Sequence, residues 1–381
     1  MSDRRLAVAQ TSGKERLGAD VPVGRPGRHR LSVASAIDPL APAWEELADR
    51  AGAAPFLRPG WIDAWWRAFG AGRLEIVTLE RAGRLAALIP LRRRVGRLQS
   101  LSNWHSPLFG MLAEDEAAGH ELAGALLAGM PTELSLGFVP VGPELAAYHS
   151  AAIHAGSSVL QRTLERSPFV AIDGSWESYR RRLSRHRRAE LGRLRRRLEE
   201  VGDLRLQVAD GRERLQVLLD EVFSVEASGW KGARGTAIAC RPETRRFYTD
   251  VAAWAAERGW LRLASLRLAG RPLAVQYLLE VDDVQYALKG GYDPSAERFS
   301  PGILLLEALL ERAFATGIRR FALLGGDEPY KIAFANGHQE LVLFQAFAPT
   351  PAGTLHRAAW AHLQPLASRA RAALARRRGA R

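Results

Sequence analysis

The chain has 381 residues, 47% of them hydrophobic. That is enough for a sizeable core and, at about 150 residues per domain, for two domains. A single cysteine, Cys240, excludes an internal disulfide and a cysteine metal site, and no apolar run reaches the roughly 18 residues of a membrane span. The formal net charge of +13 suits nucleic acid, anionic lipid or a phosphorylated ligand, or follows from arginine-rich composition alone.

Residues 1–30 are polar, contain Gly and Pro and lack periodicity, so disorder is expected there. Ser2-Asp3-Arg4-Arg5 has no apolar stretch behind it, so no secretory signal is expected and the cytoplasm is the expected compartment. An internal repeat then begins. A helix bearing Trp61, Trp65 and Trp66 precedes residues 74–94, which read as strand, turn at Ala82-Gly83-Arg84, and strand. A strand near 97–102, a helix near 115–129 and a strand near 133–139 follow. The same order returns with a helix carrying Trp254, a hairpin over 261–281 turning at Ala269-Gly270-Arg271, and strand, helix and strand near 284–291, 302–316 and 319–324. Two copies of one α/β unit are expected; two unrelated hairpins sharing a common turn are the alternative.

Between the copies lies a basic helix. Ser175 is its expected N-cap, Glu177 falls in its first turn, and Leu191, Leu194, Leu198 and Val201 form its apolar stripe. Ten arginines from Arg180 to Arg197 occupy the other positions, either as a solvated face or as a polyanion site. A second basic stretch, Arg369 to Arg381, reads as a surface helix or tail. The expected division is 1–30 disordered, 31–165 a first unit without catalytic function, 166–350 a second unit with the donor site, and 351–381 the tail.

The two copies differ where the helix after the third strand begins. A helix N-terminus offers free N–H groups and positive potential to a phosphate. In the second copy it reads Arg298-Phe299-Ser300-Pro301-Gly302: Ser300 is placed to cap, Pro301 suits the first helical position, Gly302 lets a ligand approach, and Arg298 adds charge. In the first copy Glu114-Asp115-Glu116 stands there and repels an anion.

Only four of the 54 Lys and Arg residues are lysines. Three lie in clusters of the second half: Lys231 in Gly-Trp-Lys-Gly, Lys289 in Leu-Lys-Gly-Gly-Tyr-Asp, and Lys331 in Gly-Asp-Glu-Pro-Tyr-Lys. Where arginine satisfies almost every demand for charge, a lysine marks a place that needs a compact ammonium.

These segments resemble the GNAT-fold acyltransferases of the BioF-like or CelD-like type, relatives of the FemAB group with two GNAT units in tandem. The resemblance rests on Glu226 through Ile238, Phe247-Tyr248, Gly290 through Asp293, Ser300 through Gly302 and Gly325 through Lys331, and more loosely on Pro55-Phe56, Trp61 and Ile89-Pro90-Leu91. It covers roughly residues 35–350. It implies a tandem GNAT fold of class α/β with two mixed sheets flanked by helices. It also implies acyl transfer from acyl-CoA, as a co-substrate rather than a resident cofactor, to an amine. The donor's pyrophosphate would sit at Ser300-Pro301-Gly302, and its amide arm between strands 284–291 and 319–324. The usual Gln/Arg-x-x-Gly-x-Gly/Ala phosphate loop of that fold is not present as such.

Such chemistry needs a base for the amine, a donor for the oxyanion and an acid for the leaving thiolate. Glu226, Asp327 and Glu328 are the candidate bases, and Tyr292 and Tyr330 the candidate acids. Arg298, Ser300, Pro301, Gly302 and Lys289 are candidates for the donor, Trp230 for the acceptor, and Lys231 and Lys331 for an anionic group on the acceptor or for the donor's phosphate. Histidines show no metal-ligand spacing, so no metal is expected. The acceptor is expected to be a small-molecule or glycan amine. A FemAB-like aminoacyl-tRNA donor, a non-catalytic nucleic-acid binder and a scaffold in envelope or polysaccharide assembly are the competing readings.

Overall fold

The structure, a computed structural model, describes residues 29–360. The first half runs β1 (His29–Ala34), α1 (Ala41–Arg50), α2 (Pro59–Phe69), β2 (Arg73–Arg81), β3 (Arg84–Arg94), β4 (Arg97–Ser100), β5 (Leu112–Ala113), α3 (Glu116–Ala128), β6 (Glu133–Pro140), α4 (Pro143–His154) and β7 (Ser158–Ala171). The second runs α5 (Trp176–Arg182), α6 (Arg185–Glu199), β8 (Leu204–Ala209), α7 (Leu215–Ser228), α8 (Trp230–Ala233), α9 (Pro242–Glu257), β9 (Leu261–Leu268), β10 (Arg271–Val281), β11 (Val284–Tyr292), α10 (Pro301–Ala315), β12 (Arg320–Ala322), α11 (Pro329–Ile332) and β13 (Gly337–Phe347). Residues 351–360 are helical, and the expected basic tail beyond them lies outside the described residues. Of the disorder expected over 1–30, residues 1–28 lie outside the described residues, while His29 and Arg30 are ordered in β1 by their pairing with β2.

Both expected hairpins form, for the same reason. Ala82 and Gly83 have φ of 51° and 75°, and Ala269 and Gly270 have φ of 46° and 83°. Two left-handed residues make the tight turn whose twist matches that of the strands. The helices α2 and α9 also correspond, and they pack on each other. A Cβ on Gly60 would lie 2.1 Å from Nε1 of Trp254, so α2 needs a glycine there to approach α9.

The two expected sheets are joined into one. Its strand order is β1-β2-β3-β4-β6-β13-β7-β12-β11-β10-β9-β8, with β5 beside β3. The joint is a strand exchange. The last strand of the second half, β13, pairs antiparallel with β6 of the first, and the last strand of the first half, β7, pairs antiparallel with β12 of the second. The two exchanged strands then pair with each other from Gly337↔Phe169 to Phe347↔Ser158. A division at 165/166 therefore falls inside β7.

The basic helix is broken where one helix was expected. Ser175 caps α5, but Leu183 is extended and Ser184 starts α6 by accepting a hydrogen bond from Arg187 N. Leu191, Leu194 and Leu198 are buried, whereas Val201 lies past the helix end and is exposed. One core packs α1, α2, α7 and α9 against both halves of the sheet; a second lies under α6 and α10. Among the described residues no helix is long and apolar enough to cross a membrane.

Candidate active site

The strands β11 and β12 pair in parallel only from Val284↔Arg320 to Tyr286↔Ala322. Beyond that point they diverge, and a cavity of about 660 Å³ opens between Ala287–Tyr292 on one side and Leu323–Gly325 on the other. One end reaches Ser300 and Gly302 at the start of α10. The opposite wall comes from the first half of the chain: Trp104, His105, Ser106, Pro107, Phe138 and Glu165.

The corresponding place in the first unit is filled. There β4 and β6 pair in parallel from Arg97↔Glu133 to Gln99↔Ser135. Ser100 Oγ then accepts from Gly137 N at 3.0 Å, and Ser102 Oγ donates to Gly137 O at 3.2 Å. These hydroxyls sit between the strands, where the second unit has its cavity. The helix starts differ likewise. Asp115 caps α3 by accepting from Ala118 N at 2.6 Å, while α10 has no side-chain cap and no acid in its first turn. The start of α10 thus keeps the potential that favours an anion.

Lys231, Lys289 and Lys331 all line this one cavity. Lys231 Nζ donates to Gly290 O at 2.5 Å and pairs with Glu226 at 3.3 Å. Lys331 Nζ donates to Leu324 O at 2.6 Å and pairs with Glu328 at 2.8 Å. Both ammonium groups thereby hold the lips of the diverging strands. The Nζ of Lys289 lies 5.8 Å from the centre of the Tyr248 ring. Burial, then the neighbouring Lys231, pulls Lys289 down to about 8, with Glu226 opposing.

The candidate bases fare differently. Glu226 is buried, and its Oε2 accepts from Ile238 N at 2.8 Å. Its carboxylate braces α7, α8 and β11, so both oxygens are engaged. Glu328 lines the cavity in its pair with Lys331; Asp327 is exposed and does not line it. Tyr292 lines the cavity and donates to Glu297 at 3.2 Å; Tyr330 lines it with 44% exposure.

Among the donor candidates, Gly302 and Ser300 line the cavity and Pro301 takes the first helical position. Ser300 does not cap. It has φ 47° and ψ 53° and closes the 3₁₀ turn Pro294–Phe299, and its hydroxyl makes no hydrogen bond to the first turn of α10. Arg298 is exposed, its guanidinium 4.7 Å from the Phe299 ring centre, and does not line the cavity. The Trp230 side chain lies outside the described residues.

Three lining residues escaped the sequence reading. His105 stacks on Phe69 at 5.5 Å and meets the Tyr248 hydroxyl at 3.3 Å. Burial, reinforced by Lys289 and Arg241, brings His105 down to about 4. Ser106 Oγ is buried without a hydrogen-bond partner. Glu165 comes from the exchanged strand β7. None belongs to a motif.

The cavity's shape depends on the approach of β11 to α7. A Cβ on Gly291 would lie 2.5 Å from the Cα of Glu226, a backbone atom that no side-chain rotation moves. Gly291→Ala is expected to lose about 1–3 kcal/mol in urea unfolding. Gly302→Ala, whose Cβ would meet Tyr292 at 3.6 Å, is expected to unfold like the wild type. Equal stability of the Gly291 variant would contradict the contact.

A family model described as an acetyltransferase (GNAT) domain matches residues 185–332. No curated protein sequence matches the chain. Among solved structures, FemX superposes with a TM-score of 0.52 at 10% identity, over 78% of this chain and 95% of that one. L-PGS from Bacillus licheniformis superposes with a TM-score of 0.52 at 14% identity, over 80% and 90%. Residues 185–332 therefore match a GNAT acetyltransferase domain, and the chain as a whole shares the fold of FemX and of L-PGS.

Proposed function

We propose that the protein moves an acyl group from an acyl-CoA, acetyl-CoA being the simplest, to the nitrogen of an amine carried by a small molecule or glycan. The observation that supports this reading is the difference between the two units: the cleft between β11 and β12 is open and ends at an uncapped helix start, whereas its counterpart is filled by Ser100 and Ser102 and capped by Asp115. In this reading the donor's amide arm lies between Ala287–Tyr292 and Leu323–Gly325. Its phosphates meet the first-turn amides at Gly302, with Lys289 adding positive charge in the cleft. Tyr292 and Tyr330 are the phenols available to the leaving thiolate. The compartment proposed is the cytoplasm.

A second reading keeps the transfer and changes the donor to an aminoacyl-tRNA. It is favoured by α6, which packs beside the 294–299 turn and α10 and exposes Arg185, Arg193, Arg196 and Arg197 close to the expected phosphate end. Phosphate contacts of that kind weaken steeply with salt.

Calorimetry separates the two. Acetyl-CoA is expected to bind the wild type, and Gly302→Trp, which projects an indole into the cleft, is expected to abolish binding. Binding unchanged by that substitution would refute the placement of the phosphates. Tight, salt-sensitive binding of tRNA together with no affinity for acetyl-CoA would favour the second donor.

A further inference from the structure

We propose that the first unit builds the acceptor half of this cavity and that Glu165 is the base for an acceptor primary amine. This rests on the acyl-thioester reading above. In the step, the amine nitrogen attacks the thioester carbon and the C–S bond breaks. One N–H proton leaves to the Glu165 carboxylate, and the expelled sulfur takes one proton from the Tyr330 or Tyr292 phenol to become the thiol; the proton on Glu165 then restores that phenol through solvent. The products are an amide and free coenzyme thiol.

Position comes first. The strand exchange delivers β7 next to β12, so a residue of the first half faces the donor cleft of the second. Register adds to it. Glu165 stands opposite Leu341, but Val342 stands opposite Thr163, so Leu164 is bulged beside Glu165. Bulges re-aim side chains and concentrate next to active sites.

Availability separates Glu165 from its competitors. Glu226 is held by Ile238 N and Lys231, Glu328 by Lys331, and Glu297 by Tyr292. Among the described residues, the Glu165 carboxylate has no hydrogen-bond or ion-pair partner. The charged groups that face it are Lys331 on α11, Glu328 just before α11, and Lys289 on β11, while β13 presents Leu341 opposite. Burial raises its proton affinity, Lys331 and Lys289 lower it, and Glu328 raises it, with burial the largest influence. A carboxylate raised in this way is a better base than an ordinary one.

The wall beside it fits an acceptor with polar and flat faces. Trp104 is 75% exposed and meets Phe138 edge-on at 5.8 Å. The partnerless hydroxyl of Ser106 is a hydrogen-bonding group that a ligand would satisfy.

The test uses purified protein, acetyl-CoA, and ethanolamine, glucosamine or lysine as probe amines, with thiol release as the readout. Glu165→Gln is expected to lower turnover by about 10²–10⁴-fold while the calorimetric affinity for acetyl-CoA stays within threefold. The acid limb of the wild-type pH profile should vanish in that variant, and Glu165→Asp should recover part of the rate. Ser106→Ala should raise KM for the amine and leave donor affinity alone. Turnover of Glu165→Gln within threefold of wild type would overturn the proposal. So would bound acetyl-CoA with no thiol release to any of the three amines. Failure of the wild type to bind acetyl-CoA would sink the underlying reading instead.

Discussion

Glu226→Ala is expected to cost about 3–5 kcal/mol of stability, because it takes a buried, paired carboxylate away from its partners. Glu226 is 2% exposed. Its two oxygens hold Ile238 N and the Lys231 ammonium, and Lys231 in turn donates to Gly290 O at the edge of β11. Removing the carboxylate takes the counter-charge from Lys231 and leaves the Ile238 amide without its acceptor, each a recognised source of large loss. Glu226→Gln keeps an oxygen for Ile238 N and should lose less. Urea unfolding checks both. If Glu226→Gln folds and turns over normally, Glu226 is a positioning residue and not a base. Wild-type stability in Glu226→Ala would show that α7, α8 and β11 do not depend on this brace.

Much of this architecture could be read from the residues, and the part that could not has a physical cause. The hairpins were legible because an Ala-Gly turn at the right spacing has few other uses. The cluster of lysines was legible by contrast with an arginine-rich background, and all three meet in one cavity. The strand exchange was not legible. Periodicity is a local signal, and nothing in Gly337–Phe347 states that it will lie between β6 and β7. Everything that depends on the exchange was therefore invisible, above all Glu165. In sequence it is one polar residue among Gln161, Arg162 and Arg166, and only its strand's neighbours give it a site.

Two smaller misreadings share one origin. Ser300-Pro301-Gly302 has the composition of a cap, but the preceding 3₁₀ turn brings Ser300 in with a left-handed backbone. Asp327 and Glu328 are adjacent, yet only Glu328 reaches the cavity, because Pro329 starts α11 immediately after and Lys331 draws Glu328 inward. In both cases residue type suggested a role that the entry angle of the chain decided.

The stability of the first unit is expected to depend on pH through two groups of opposite sign at the ends of one segment. Glu144 is half-buried as a residue, but its Oε1 accepts from Met111 N at 2.6 Å and from the Tyr148 hydroxyl at 2.8 Å. Burial, only partly offset by those two donors, lifts its carboxyl from 4.5 to about 7. The folded state then holds a proton that the unfolded state has lost, so this group makes stability fall as pH rises from 4.5 to 7. His105 does the reverse: lowered from 6.5 to about 4, it stays neutral in the fold while the unfolded chain takes up a proton. Its contribution is present above pH 6.5 and lost as pH falls toward 4. Each shift corresponds to about 3 kcal/mol, so in the wild type the two largely cancel over their shared window. Glu144→Gln should break the balance. Relative to wild type, the variant should gain about 2–3 kcal/mol between pH 4.5 and pH 7, read as the difference in urea midpoints. A difference that stays flat across that range would show that the Glu144 carboxylate titrates normally and that Met111 is held by an ordinary anion. The slope is expected because segment 101–111 is tied down at one end by His105 against Tyr248 and at the other by Glu144 on Met111. Both ties exclude water, and exclusion of water raises the proton affinity of an acid and lowers that of a base.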